Sequence, residues 1–92
     1  MKREVAETGA LQALAWLAGE EDLLPVFLGT TGASAQDLRA RAGDPEFLAS
    51  LLDFVLMDDD WVLSCAAALG LPPGEIMAMR HALPGGAAPS WT

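Results

Sequence analysis

Pro45-Glu-Phe-Leu-Ala-Ser-Leu-Leu-Asp-Phe-Val-Leu-Met57 decides the fold. Its polar residues Glu46, Ser50 and Asp53 recur at spacings of four and three, one narrow stripe on a helix. Phe47, Leu48, Leu51, Leu52, Phe54, Val55 and Leu56 take up nearly all of the remaining circumference. A helix apolar over that much of its surface needs neighbours on several sides, so the segment predicts the central rod of a helical bundle. Asp44 followed by Pro45 starts it, with a carboxylate for the first free N–H groups and a ring already at helical φ.

Upstream, Ala10, Leu11, Ala13, Leu14 and Leu17 form an apolar stripe that predicts a first helix over Arg3 to Ala18, with Gly19 as a left-handed cap. Asp22 reads as the N-cap of a second helix, because Pro25 then falls in the first turn. Leu24, Phe27 and Leu28 form its buried face, and Gly29-Thr-Thr-Gly32 ends it. Ser34 with Asp37 is an acidic variant of the capping box and opens a short third helix through Ala42, ended by Gly43. Downstream, the triplet Asp58, Asp59, Asp60 suits the partial positive charge of a helix N-terminus. The fifth helix that follows turns Trp61, Val62, Cys65 and Leu69 to one side and ends at Gly70. Pro72 and Pro73 turn the chain into a sixth helix over Gly74 to Leu83, with Ile76, Met79 and Leu83 inward. Residues 87–92 show no periodicity and read as a flexible tail after a single helical domain over residues 1–86.

An offset of thirty-eight residues lays one half of the chain over the other. Leu14 falls on Leu52, the triplet Glu20-Glu21-Asp22 on Asp58-Asp59-Asp60, and Gly32 on Gly70. Identities are few, so both a duplication and a regular array of capped helices fit the overlay, and each implies two similar three-helix halves.

Thirteen Asp plus Glu against five Lys plus Arg leave a net charge of −8, which repels a phosphate backbone and argues against nucleic acid as a ligand. The single cysteine, Cys65, excludes an internal disulfide. Met1-Lys2-Arg3 runs straight into Glu4 and Glu7 with no apolar core of a secretory signal, which makes the cytoplasm the expected location. The longest apolar run, Phe47 to Leu71, holds Asp53 and the Asp58–Asp60 triplet, so no membrane span is expected.

With the helices placed, Ala10-Leu-Gln-Ala-Leu-Ala-Trp-Leu-Ala18, Phe27-Leu28 through Thr31-Gly32, the Asp37-Leu38-Arg39 to Asp44-Pro45 block running on to Leu56, Gly70-Leu-Pro-Pro73 and Ala82-Leu-Pro-Gly85 stand out together. In these segments the chain resembles a family of short alphaproteobacterial proteins, domain of unknown function 3572, from about residue 7 to residue 85. The resemblance implies a small all-helical bacterial protein of the cytoplasm and carries no activity, cofactor or site residue.

Little in the chain looks like chemistry. His81 is the only histidine, on the outer side of the last helix, and the stripe that buries Val62 and Leu69 takes Cys65 with it, so a Cys/His pair is not expected. Calcium loops alternate their ligands around a glycine, whereas three consecutive carboxylates diverge; helix capping is therefore the reading of both acidic triplets. No Gly-rich phosphate loop is present, so neither cofactor nor metal is expected. Residues 31–42, with Gly32 before a helix bearing Arg39 and Arg41, imitate a helix-turn-helix reader of DNA, against which stand the short helix, Asp37 at its start and the overall charge. Met77, Arg80 and His81 face away from the core stripe of the sixth helix and, with Trp91, are of types enriched in interfaces.

The expectation is an all-α bundle of five to six short helices without a sheet, with Leu14, Leu17, Phe27, Leu51, Leu52, Val55, Val62 and Ile76 in its core. Its function reads as a non-enzymatic adaptor that binds another protein, or itself as a homodimer, through Met77, Arg80, His81 and Trp91, with the helix-turn-helix regulator as the alternative.

Overall fold

Six α-helices order residues 1–84, the part of the chain that the computed structural model describes: α1 (Arg3–Ala18), α2 (Leu24–Thr31), α3 (Ala35–Ala40), α4 (Pro45–Val55), α5 (Asp59–Leu69) and α6 (Gly74–Ala82). No strand occurs among the described residues, and no single helix there is long and apolar enough to cross a membrane. The tail expected at residues 87–92 lies outside them.

The rod behaves as its sequence predicts. Phe47, Leu48, Ala49, Leu51, Leu52, Phe54 and Val55 of α4 are all buried, and Asp44 Oδ1 accepts the Glu46 N–H at 3.0 Å. It does not hold the centre alone, because α1 also packs against α4, α5 and α6. The inward line of α1 is Ala6, Gly9, Ala10, Ala13, Leu14 and Leu17, mostly small residues that let three neighbours approach closely. Leu11 was expected on this stripe but is exposed; at about 100° per residue it falls on the flank away from Ala6, Ala10 and Ala13.

Phe27 is the only residue that α2 buries, and α3 buries none. The Phe27 ring meets Phe47 and Phe54 edge to face, with centroids 6.1 Å and 5.3 Å away. In the other half α5 buries Cys65 and Ala66, and α6 buries Ile76 and Met79, with Leu83 buried just beyond. The two halves are therefore unequal in packing. What they share is how helices end: Gly32 and Gly70, superposed by the thirty-eight-residue offset, both take left-handed φ, 75° and 70°. Val62, expected in the core, is half-buried, because the inward line of α5 runs through Cys65 and Ala66 and leaves Val62 at its edge.

Capping accounts for three of the helix starts. Ser34 and Asp37 form the reciprocal box, Ser34 N–H donating to Asp37 Oδ2 at 2.8 Å and Asp37 N–H to Ser34 Oγ at 3.3 Å. Asp58 Oδ1 accepts the N–H groups of Asp60 and Trp61 at 2.8 Å and 3.4 Å, and Asp44 caps α4 as described. α3 ends at Ala40, two residues short of the expected Ala42, with Arg41 as its cap.

Two expected caps are absent. Gly19 is right-handed at φ −91°, since its N–H and that of Glu20 go on bonding to the Trp16 and Leu17 carbonyls and the chain need not reverse. Asp22 caps nothing: α2 begins at Leu24, and the Glu20 carbonyl accepts the N–H groups of both Leu23 and Leu24. Pro25 has no N–H to offer, and no side chain caps the start of α2.

Candidate functional site

An open hollow of about 510 Å³ lies where the end of α1, the turn after it, the start of α2 and the first turns of α5 come together. Trp16 comes from α1, Glu20, Glu21, Asp22 and Leu23 from the turn, Val26 from α2, and Trp61 and Ser64 from α5. Local forces set each wall. The Trp61 N–H donates to the Asp58 cap, and its indole stacks on the core ring of Phe54 with centroids 4.7 Å apart and planes 22° apart, which leaves it half-buried at the edge of the hollow. Trp16 is likewise half-buried, Leu23 is closed into the floor, and Val26 remains 45% exposed.

Glu20, Glu21 and Asp22 are all exposed on the rim. Among the described residues the ion pairs are Arg3–Glu7 and Arg41–Asp44, both at 3.0 Å, and Arg80–Asp53 at 2.6 Å, so none reaches this triplet. The acidic triplets thus differ: Asp58 caps α5, while the first triplet caps nothing.

A second hollow, of about 380 Å³, opens between the N-terminal half of α1 and the start of α6. Met1, Val5, Gly9, Leu71 and Met79 make it largely apolar, with Glu4 and Glu75 at its edges.

The residues singled out for partner binding fare differently. Met77 is 46% exposed and His81 is exposed. Arg80 is not a free surface cation, for its side chain is only 13% exposed. Its Nε donates to Asp53 Oδ1 of α4, and its Nη1 to the Pro84 carbonyl at 3.1 Å. Position 80 is one helical turn beyond the buried Ile76, so the side chain starts at the edge of the inward face and its stem can lie along it. Trp91 lies outside the described residues.

Cys65 is fully buried, and that burial pushes its thiol up to about 11. A buried thiol and the exposed His81 imidazole share no cleft. No group of three His, Cys, Asp or Glu side chains among the described residues is placed to hold a metal ion. In the segment that imitates a DNA reader, α3 has six residues, Asp37 is engaged in its N-terminal box, and Arg41 is paired with Asp44 while lying 4.9 Å from the Phe47 ring centroid.

The hollow was not read from the sequence. Its signals were present, a tryptophan four residues before one acidic triplet and another directly after the second, but nothing local says that the two tryptophans line one hollow. Together these elements define a small all-α protein whose features of interest are open, partly aromatic surface hollows. The chain belongs to the family described as "Protein of unknown function (DUF3572)", whose model matches residues 3–86. No curated protein and no solved structure matches it.

Proposed function

We propose that the protein is a non-enzymatic interaction module of the cytoplasm, an adaptor that engages another protein through its surface. The observation that carries this reading is the hollow between α1 and α5, where two tryptophans and an exposed valine face solvent together. Aromatic side chains supply large contact area at low entropic cost and are enriched where interfaces bury most, whereas scattered apolar residues such as Met57 and Met77 are ordinary on any surface. A buried thiol and an unassisted histidine speak for binding over catalysis. The short α3 and its engaged Asp37 and Arg41 speak against the DNA-reading alternative.

Capture of the tagged chain from its own host, beside a Val26→Asp variant, tests the proposal. A protein retained by the natural chain and lost with the variant is the expected result; identical retention by both chains counts against the hollow as the site. Sedimentation velocity on the same pair reads whether the retained protein is a second copy.

A further inference from the structure

Building on the reading of this hollow as an interaction site, we propose that its occupant is a basic segment of a partner protein, with Arg or Lys stems lying over Trp16 and Trp61 and their charged heads against Glu20, Glu21 and Asp22. Four observations converge on that chemistry. The rim carboxylates have no structural task, since the N–H groups of Leu23 and Leu24 go to the Glu20 carbonyl and no ion pair among the described residues involves the triplet. Three adjacent exposed carboxylates repel one another, and a cation arriving between them relieves that repulsion.

The walls beside them suit the same guest. Tryptophan faces attract guanidinium and ammonium groups more strongly than other rings do, and the aliphatic stems of Arg and Lys pack on apolar surface such as Leu23 and Val26 while their heads stay wet. At about 510 Å³ the hollow has room for a few side chains of a peptide. The net charge of −8 steers basic partners inward over a longer range. A second copy of this chain fits poorly as the occupant, because it brings another −8 and three of its five Lys and Arg side chains are already held by Glu7, Asp44 and Asp53.

The test uses the full chain carrying Trp91→Phe, so that indole emission reports Trp16 and Trp61. The probe is an amphipathic peptide about four helical turns long, with Arg and Leu at helical spacing. We expect a saturable emission change at low salt that weakens about tenfold in a Glu20→Gln, Glu21→Gln, Asp22→Asn variant. A variant that loses the same charge elsewhere, Glu4→Gln, Glu46→Gln, Glu75→Gln, should bind within about twofold of the parent. Thermal melts verify that both remain folded. Equal weakening in the two variants overturns the proposal, because the attraction is then diffuse. So does the same saturable change with spermine alone, which makes the site one for small polyamines. An uncharged Gln/Leu version of the peptide that binds as tightly as the Arg/Leu one also overturns it, but leaves the interaction-site reading standing.

Discussion

The sulfur of Met79 occupies the space that a side chain at Gly9 would need, at the contact between α1 and α6. Met79 is 1% exposed, and a methyl group at Gly9 would force its thioether out of this packed position toward the second hollow. Gly9→Ala should therefore destabilise the fold by about 1 kcal/mol, overpacking outweighing the roughly 0.5–1 kcal/mol that alanine gains over glycine inside a helix. Introduced into a Met79→Ala background, the same change should be stabilising, because only the propensity gain is left. Urea unfolding of the four chains checks the change of sign.

Arg80 joins α6 to α4 through Asp53 and to the end of its own helix through the Pro84 carbonyl. Asp53 is largely exposed, so Asp53→Asn should cost less than about 1 kcal/mol. Arg80→Ala removes both hydrogen bonds and the packing of a mostly covered stem and should cost more, about 1–2 kcal/mol. A larger loss from the aspartate than from the arginine would reverse this account.

The acidic triplets make a matched pair for mutation. Asp58→Ala removes a cap that serves two N–H groups and should destabilise by about 1 kcal/mol. Asp22→Ala removes a carboxylate without a structural partner and should change stability by less than about 0.5 kcal/mol. Thermal melts of the two single variants decide the contrast.

Asp44 gives the fold an acid-sensitive contact. The Arg41 guanidinium, followed by the Glu46 N–H, holds its carboxyl below the ordinary aspartate value of 3.8. A depressed folded pKa means that the contribution is present above that value and is lost as pH falls through the lower folded one. Asp44→Asn should accordingly flatten the fall of stability with pH below about 4, measured as denaturant midpoints across that range.

Cys65 should be inert toward a thiol reagent at pH 8 in the folded protein and react at the rate of global opening, because it is fully buried and its thiol is raised to about 11. The raised value also carries a sign: the contribution is present below the ordinary thiol value of 9.0 and is lost as pH rises through the folded one. Labelling of native protein faster than hydrogen exchange of the α5 amides would contradict the burial.

Most helix starts and ends were legible because their deciding contacts are local. Asp44-Pro45, the Ser34/Asp37 box and Asp58 act within four residues of themselves and start helices as expected, and Gly32 and Gly70 end them, whereas Gly19, the glycine expected to be left-handed, is not. Asp22 misled because the backbone had a local alternative: the Glu20 carbonyl satisfied the donors first. The candidate site was less legible. Arg80 was read as exposed from helical phase alone, while Asp53, twenty-seven residues away, draws its side chain along α4.

By itself, then, the sequence determined that this chain is a set of short capped helices wrapped on the apolar segment from Pro45 to Val55, since periodicity and capping are properties of neighbours along the chain. Only the tertiary structure decided that α1 shares the centre, that Met79 fills the notch at Gly9, and that Trp16 and Trp61 flank the uncapped carboxylates of one turn. Those relationships join parts of the chain far apart in sequence, Trp16 and Trp61 by forty-five positions and Gly9 and Met79 by seventy, and are set by how the helices fit together, which no local pattern encodes.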